Sequence, residues 1–418
     1  MIMEKKKKPE IRFEGFTDDW EQRKLGIINT FFTDGNYGEA YPKASDMTDS
    51  SSGIPFLTGG NLKEGKLSLD GVSYITPEKH SQLISGHLLE DDIVIAVRGS
   101  LGALGYVNTD NSGWNINSQL AILRTDKSEL YGKFLIQYLL SWAGQNELLK
   151  RQTGSALKQL PIGALKDVEV PITSVAEQER IATYFDSLDH LITLHQRKYE
   201  KLKNVKKSML EKMFPSKGCK VPEIRFSGFT DDWEQRKLGE LAEIVGGGTP
   251  STSVESYWDG DIDWYAPAEI GEQIYLKSSQ RKITEEGLNK SSAKVLPVGT
   301  VLFTSRAGIG KIAILLKEGC TNQGFQSIVP NKDKLDSYFI FTRSEELKRY
   351  GETVGAGSTF VEVSGKQMAN MELMMPTTML EQKKIGAYFC TLDHLITLQQ
   401  RELEKLKNIK KTLLEKMF

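Results

Sequence analysis

The chain contains the same eleven residues twice, as FTDDWEQRKLG over residues 16–26 and again over 229–239. The match extends upstream, because residues 9–26 and 222–239 differ at a single position. Duplicated sequences diverge over their whole length unless something holds particular positions, so identity confined to one stretch indicates a constraint on that stretch. The chain is therefore an internal duplication whose unchanged parts serve something common to both copies.

A second pair of matching segments ends each copy. Residues 187–214 read SLDHLITLHQRKYEKLKNVKKSMLEKMF, and residues 391–418 read TLDHLITLQQRELEKLKNIKKTLLEKMF. Between the matching segments, residues 27–174 and 240–378 have little in common. The organisation is constant, variable, constant, variable, with a period far longer than that of a solenoid repeat.

The closing constant segments predict two long helices, over 175–214 and 379–418. Apolar residues recur there in alternating steps of four and three, which is the a/d seam of a coiled coil. The seam residues are Ile181, Phe185, Leu188, Ile192, Tyr199, Leu202, Met209 and Met213 in the first copy and Ile385, Phe389, Leu392, Ile396, Leu403, Leu406, Leu413 and Met417 in the second. Polar residues interrupt both seams at equivalent places, at His195 and Gln399 and at Lys206 and Lys410. Because polar seam positions set register, we expect the two helices to pair antiparallel; the alternative is that each helix packs only on its own domain.

The variable segments predict mixed α/β structure. The runs DDIVIAVRGSLGALGYV (91–107) and KVLPVGTVLFTSRAGIGKIAIL (294–315) are rich in strand-forming residues and broken by Gly turns. Helical spacing follows in LYGKFLIQYLLSWAGQNELLKRQ (130–152), and KLDSYFIFTRSEELKRYGETV (334–354) occupies the same place in the second copy. Both middles therefore share an outline of strands, an Arg-Gly turn, more strand, a helix, a Gly-Ser loop and a last strand.

Composition places the chain among soluble globular proteins of two to three domains, with 418 residues, 39% apolar and 26% charged. It contains no stretch of about 18–20 apolar residues, so no membrane association is expected. Three widely spaced cysteines, Cys219, Cys320 and Cys390, predict free thiols in the cytoplasm rather than a disulfide framework.

Motifs of catalysis are missing. There is no Pro-Pro dipeptide for the motif of amino-methyltransferases, no His-Glu-x-x-His, no Cys-x-x-Cys and no Gly-x-Ser-x-Gly. AGIGK (307–311) lacks the first glycine of a Walker A loop. His190 and His394 each follow an aspartate, but adjacent helical residues point to different faces, which favours an exposed surface over a catalytic base. The sequence predicts neither a catalytic residue nor a metal site.

Polar residues near two equivalent turns are better candidates, for binding. Arg98 and Arg306 each end a strand and precede a Gly-rich turn, from which an arginine can reach a phosphate or a guanine. Amides that can pair with adenine follow, and then a Gly-Ser loop: these residues are Asn117, Gln119, Ser155 and Lys158 in the first copy and Asn322, Gln323 and Ser358 in the second. With 54 Lys and Arg against 55 Asp and Glu, a nucleic-acid site has to be a local patch. The alternative is structural, since such residues are common in turns.

Several motifs follow one another in a fixed order along the chain, and the first and last of them occur in both copies. They are WEQRKLG (20–26 and 233–239), GGGTPS…YW…GDIDW (246–264), SRAGIGK (305–311), TNQ (321–323), and helices that carry AEQERIA or LEQKKIG before LDHLITL. Over essentially its whole length the chain resembles the specificity (S) subunit of type I restriction-modification enzymes. The first copy departs from the pattern, with FTDGNYGEAYPKASD (32–46) and GIPFLTGGN (53–61) in place of the GGGTPS…GDIDW stretch.

The resemblance implies an α/β (α+β) fold in which two target-recognition domains are separated by two long antiparallel coiled-coil helices with pseudo-two-fold symmetry. The implied segments are an N-terminal tail (1–16), a first target-recognition domain (17–174), a first constant helix (175–214), a linker (215–228), a second target-recognition domain (229–378) and a second constant helix (379–418). The resemblance adds Gly102, Thr249, Ser251, Tyr265, Gly310 and Lys311 to the DNA-binding candidates. It also implies partner-binding residues in the constant segments, namely Trp20, Arg23, Trp233, Arg236, His190 and His394.

The resemblance further implies double-stranded DNA as a partner, with two methylation (M) subunits and, through the complex, restriction (R) subunits. No cofactor is expected on this chain, since S-adenosylmethionine would be bound by the M subunit. The leading hypothesis is a non-catalytic reader of a bipartite DNA sequence that also scaffolds the complex. The alternatives are a two-module adaptor for proteins or glycans and, third, a self-sufficient methyltransferase.

Overall fold

The computed structural model describes residues 8–155, 157–271, 273–306, 308–355 and 362–418. The chain divides into two compact units. Unit 1 comprises Met1–Gln196 together with Arg401–Phe418, and unit 2 comprises Arg197–Gln400. Each unit therefore takes residues from both closing constant segments.

Unit 1 contains twelve short strands, eight of which form two four-stranded sheets. The strands are β1 (Glu21–Lys24), β2 (Thr30–Asp34), β3 (Met47–Thr48), β4 (Ile54–Leu57), β5 (Leu62–Lys63), β6 (Lys66–Leu67), β7 (Ser73–Ile75), β8 (Ile93–Ala96), β9 (Leu104–Tyr106), β10 (Asn115–Ile116), β11 (Leu120–Thr125) and β12 (Glu169–Ile172). The helices are α1 (Pro77–Gln82), α2 (Gly132–Leu140), α3 (Trp142–Leu149), α4 (Ile162–Lys166) and the first part of α5 (Val175–Lys212). One sheet has the order β2-β11-β8-β9 and the other β10-β4-β7-β3.

Unit 2 repeats this outline with a different sequence. Its strands are β13 (Glu234–Lys237), β14 (Ala242–Gly246), β15 (Trp258–Tyr265), β16 (Tyr275–Leu276), β17 (Arg281–Ile283), β18 (Val301–Phe303), β19 (Ile312–Leu315), β20 (Cys320–Thr321), β21 (Gln326–Pro330) and β22 (Glu372–Met375). Its helices are α6 (Leu238–Leu241), α7 (Glu285–Asn289), α8 (Ser337–Thr342), α9 (Ser344–Gly355), α10 (Gly365–Ala369) and most of α11 (Met379–Met417). Its sheets have the orders β14-β21-β18-β19-β16 and β17-β15-β20.

Equivalent strands lie in the interior of one sheet in each unit, β8 in the sheet β2-β11-β8-β9 and β18 in the sheet β14-β21-β18-β19-β16. All residues of β8 (IVIA) and of β18 (VLF) are buried. An apolar strand of this kind can be covered on both faces, which explains its central position between two antiparallel neighbours. The strand ends therefore lie at defined places, and the arginine that follows each strand is positioned by a rigid element.

The two long helices begin and end close to the predicted bounds, and within each unit they are antiparallel as predicted. In unit 1, Lys410 Nζ lies 2.6 Å from Asp189 Oδ1, and the ring of Phe418 lies 6.3 Å from that of Phe185. Moving forward along α11 thus means moving backward along α5. The alternative in which each helix packs only on its own copy is wrong, because unit 1 contains residues of both.

The same pairing occurs in unit 2 with the roles of the helices exchanged. Lys206 Nζ lies 2.5 Å from Asp393 Oδ1, and the ring of Phe214 lies 6.2 Å from that of Phe389. The lysines that interrupt the predicted seam therefore meet the aspartates of LDHLITL. A half-buried lysine needs an acidic partner, so these ion pairs specify the register. No helix in the described parts of the chain is long and apolar enough to cross a membrane.

Residues 9–26 hold the start of α5, which explains the identity of the opening segments. The guanidinium of Arg12 donates two hydrogen bonds to Glu177, of 2.6 and 2.7 Å, and Trp20 Nε1 donates a third of 3.2 Å. Glu177 is fully buried. The hydrogen bonds to Glu177 raise the pKa of Arg12, although burial opposes the shift. A buried carboxylate is tolerated only when it is paired in this way, so these residues cannot vary independently.

Unit 2 repeats this arrangement residue for residue. Arg225 donates hydrogen bonds of 2.7 and 2.9 Å to Glu381, and Trp233 Nε1 lies 3.4 Å from the same carboxylate. Residues 9–13 were predicted to belong to a tail, yet Glu10 and Ile11 donate backbone hydrogen bonds to Lys416. Residues 1–7 of that predicted tail lie outside the described residues.

Candidate nucleic-acid interface

Arg98 begins the candidate interface of unit 1. It follows β8, its backbone N–H donates to Gln119 O over 3.2 Å, and its side chain is exposed. The guanidinium donates from Nη1 to Tyr37 Oη (3.3 Å) and to Ser118 O (3.2 Å). It donates from Nε to Gln159 Oε1 over 3.4 Å. Arg98 is therefore held between three separate segments of the chain.

The Gly-Ser loop of unit 1 lies against the same arginine. Thr153 and Gln159 exchange two backbone hydrogen bonds of 2.9 Å, which close the loop beside Arg98. Ser155 and Lys158 lie within this closed loop and are exposed. The structure thus brings together Arg98, the amide turn and the loop.

The amide turn is built on a close approach of two backbones. A side chain at Gly35 would clash with the backbone carbonyl of Asn117, so glycine is required there. Asn117 itself is buried, and its Oδ1 accepts a hydrogen bond of 3.0 Å from the backbone N–H of Gln119. Asn117 therefore shapes the turn and is corrected from base-reading candidate to structural residue. Gln119 is exposed and remains a candidate.

Unit 2 has the same framework around Arg306. Ser305 N donates to Gly324 O over 2.8 Å, and Val363 N donates to Ser305 O over 2.9 Å. In unit 1 the matching bonds, of 2.9 Å each, run from Val97 N to Gln119 O and from Leu160 N to Val97 O. Arg98 and Arg306 are therefore structural equivalents, and both are exposed. Arg306 differs in forming a 2.8 Å ion pair with Glu362.

The first copy contains a structural counterpart of the GGGTPS segment, although its sequence there is different. A side chain at Gly247 would clash with the carbonyl of Asn322, just as one at Gly35 would clash with that of Asn117. Asn322 Oδ1 accepts from Gly324 N over 2.8 Å, so both asparagines cap the same turn. FTDGNY and VGGGT therefore occupy equivalent places. Gln119 corresponds to Gly324 and not to Gln323, which the sequence motifs had paired with it.

The GGGTPS loop of unit 2 is fixed by two indoles. Trp264 Nε1 donates to Gly248 O over 2.8 Å, and Trp258 Nε1 donates to Ser251 O over 3.1 Å. Thr249 Oγ1 donates to Gln323 Oε1. Ser251 and Gln323 are exposed and Thr249 is half-buried, so the loop and the amide turn form one surface.

Other candidates from the resemblance have interior positions. Gly102 is buried, and Gly310 is half-buried and packs against Lys348 of α9. Both glycines have a positive φ, of 77° and 95°, and this conformation closes the turn that follows the arginine. Tyr265 is fully buried, so burial raises the pKa of its hydroxyl and it offers no surface to a ligand. Gly102 and Tyr265 are therefore buried structural residues, whereas Gly310 stays a binding candidate. Lys311 is exposed, and Ser358 lies outside the described residues.

Some of the partner-binding candidates are also buried, and others are exposed. Trp20 and Trp233 are only 6% and 1% exposed, so they hold glutamates inside each unit and present little surface to a partner. Arg23 and Arg236 are half-buried, and Arg236 pairs with Glu240 over 2.7 Å. The candidates on the long helices, His190 and His394, are both exposed.

Exposed leucines beside these histidines were missed by the sequence reasoning. Leu191 and Leu194 are 44% and 45% exposed, and their counterparts Leu395 and Leu398 are 42% and 43% exposed. The signal was present in LDHLITL, where these leucines lie off the a/d seam. Each unit therefore displays the same apolar pair on a long helix. Among the described residues, no group of three or more His, Cys, Asp or Glu could hold a metal ion.

Comparisons with known proteins agree with this organisation. A family model described as type I restriction modification DNA specificity domain matches residues 17–204 and 230–408. The MjaIX specificity subunit of Methanocaldococcus jannaschii is 35% identical over 190 residues, which cover 45% of this chain and 44% of that subunit. The putative MjaX specificity subunit of the same organism is 26% identical over 410 residues, covering 95% of this chain and 92% of that one.

Solved structures share the fold. The type I restriction-modification S subunit from M. genitalium superposes with a TM-score of 0.67 at 16% identity, over 98% of this chain and 99% of that one. A chain from a structure of type I R-M complex assembly and conformational transition gives a TM-score of 0.50 at 18% identity, over 94% and 96%. The family match spans both copies of the duplicated framework, and so this chain belongs to the family of type I restriction-modification DNA specificity domains, as a non-catalytic specificity subunit.

Proposed function

We propose that the chain reads a bipartite DNA target, with one half-site contacted by each unit. The observation that carries this proposal is the equivalence of Arg98 and Arg306. Both arginines are exposed at the same strand end beside the same amide turn, while the residues around them differ. A common framework with different exposed side chains suits two different half-sites, since base contacts specify sequence and the framework only positions them.

We further propose that the constant helices dock two copies of one methylation subunit, through which restriction subunits join the complex. The support is the repeated apolar pair, Leu191 with Leu194 and Leu395 with Leu398. Identical surfaces at two places suit identical partners. S-adenosylmethionine would be bound by the methylation subunits, and this chain would decide which adenines they reach.

Replacing Arg306 with alanine is expected to relax one half-site. A bidentate arginine-guanine contact contributes about 1–3 kcal/mol of discrimination against the wrong base. The surface ion pair with Glu362 that Arg306 would give up contributes at most about 1 kcal/mol, so exchanging it for DNA is favourable. The measurement is sequencing of methylated adenines in cells that express the chain with its methylation subunits.

The matched control for Arg306→Ala is Arg349→Ala, an arginine of the same unit on α9. We expect the control to leave both half-sites and subunit assembly unchanged. If Arg306→Ala abolished assembly while the chain kept its far-UV circular dichroism, Arg306 would be a structural residue and its assignment to base reading would be wrong.

Substituting the leucine pair on one helix is expected to remove one methylation subunit. Leu191→Ser with Leu194→Ser should lower the number of bound M subunits from two to one, because the second pair, Leu395 and Leu398, is intact. Mass photometry of the reconstituted complex gives the stoichiometry. Ser substitutions at all four leucines should leave the chain folded but without bound M subunits. Retention of both subunits by that quadruple variant would exclude the docking surface.

A further inference from the structure

Tyr37 in unit 1 occupies the place of Thr249 in unit 2. Each follows by two residues the glycine that packs on the amide turn, Gly35 or Gly247. Tyr37 is 43% exposed. The two units thus present side chains of very different size at equivalent points of the proposed DNA surface.

Tyr37 and Arg98 form one rigid group. The guanidinium carbon of Arg98 lies 5.3 Å from the centre of the Tyr37 ring, and its Nη1 donates to the phenol oxygen over 3.3 Å. The phenol oxygen in turn lies 2.9 Å from Asp34 Oδ2 and 3.0 Å from Ser118 O, and these two acceptors share its single O–H proton. Burial and the hydrogen bond to Asp34 raise the pKa of Tyr37, so the phenol stays protonated and keeps this direction of donation.

The contacts among the described residues leave one nitrogen of the guanidinium, Nη2, unused. They involve Nε and Nη1, and among the described residues Nη2 has no hydrogen-bond partner. A guanidinium contacts O6 and N7 of guanine through N–H groups of two nitrogens on one edge. In Arg98 these would be Nη2 and Nε, and Nε would exchange its long 3.4 Å contact with Gln159 for the base. An arginine that is already held in one conformation loses less side-chain entropy when it makes that contact.

We propose that Tyr37 is a positioning residue that fixes Arg98 for a bidentate contact with a guanine in the half-site read by unit 1. Thr249 is too short to support Arg306 in this way, and Arg306 is held by Glu362 instead. The two units therefore position equivalent arginines by different means. The proposal rests on the proposed function and specifies how one half of the target is read.

The test uses the full chain assembled with its methylation subunits and a DNA library randomised at both half-sites. Arg98→Ala is expected to lower the preference for guanine at one position of one half-site by about 10-fold or more. Tyr37→Phe, which keeps the ring and removes the hydroxyl, should relax the same position by a smaller factor. Tyr41→Phe is the matched control, because Tyr41 packs on Phe56 and not on Arg98.

Relaxation confined to that single guanine, with the half-site sensitive to Arg306→Ala unchanged, would support the proposal. Equal weakening at both half-sites would assign Tyr37 to folding or assembly and overturn it. An unchanged preference in Tyr37→Phe would also overturn it, while leaving the proposed function intact. The proposed function itself would fail if the methylated motif did not depend on this chain at all.

Discussion

Replacing Glu177 with alanine should lower the free energy of unfolding of unit 1 by about 3–5 kcal/mol, because the substitution leaves a largely buried arginine without its partner. Arg12 Nε lies 2.6 Å from Glu177, and the side chains are 13% and 0% exposed. Trp20 would lose its acceptor at the same time. Urea denaturation followed by tryptophan fluorescence and circular dichroism measures the change.

Two comparisons make this prediction specific. Glu179→Ala changes an exposed glutamate on the same helical turn and should alter the free energy of unfolding by less than about 0.5 kcal/mol. Glu381→Ala removes the counterpart in unit 2 and should have an effect of the same size as Glu177→Ala. A loss below about 1 kcal/mol for both buried glutamates would mean that the paired charges are dispensable, and the account of the repeated opening sequence would be wrong.

A fragment of residues 1–214 should form a dimer. It lacks residues 401–418, which complete unit 1, but its own residues 197–214 have nearly the same sequence. In a second copy, Lys206 and Phe214 can take the places of Lys410 and Phe418 against Asp189 and Phe185 of the first. Light scattering coupled to size exclusion measures the mass, and the dimer should read a symmetric site made of two identical half-sites.

Charge reversal at the seam tests the dimer. Lys206→Glu places an acid opposite Asp189 of the other copy and should shift the fragment to monomer, whereas Lys207→Glu changes an exposed lysine and should not. A wild-type fragment that remains a folded monomer at micromolar concentration would show that the closing helix is not needed to complete unit 1.

The helices were predictable because their signal is periodic and long. The a/d spacing placed α5 and α11 to within a few residues, and the lysines at positions 206 and 410 indicated a register that Asp393 and Asp189 fulfil. The lysines could be expected to pair with acidic residues, but the heptad pattern does not identify which aspartate faces each lysine on the other helix.

The site was less predictable, because exposure depends on which face of a turn a side chain occupies. Arg98 and Arg306 were predicted to be binding candidates from the strand and turn around them, and both are exposed. Asn117 and Tyr265 were also predicted to be binding candidates but are buried. Tyr37 gave no motif at all. Its equivalence to Thr249 depends on the close packing of Gly35 against a carbonyl more than eighty residues further along the chain, which no local pattern contains.

The division of the chain into units also fixes an order of events during translation. Unit 2 has been synthesised completely once Gln400 has been added. Unit 1 is begun earlier, but it lacks its last helical segment until residues 401–418 have been added. The apolar faces of Ile181 and Phe185 in unit 1 therefore remain uncovered until residues 401–418 have been made. A frameshift after the codon for Gln400 would consequently damage unit 1, which is encoded first, and spare unit 2.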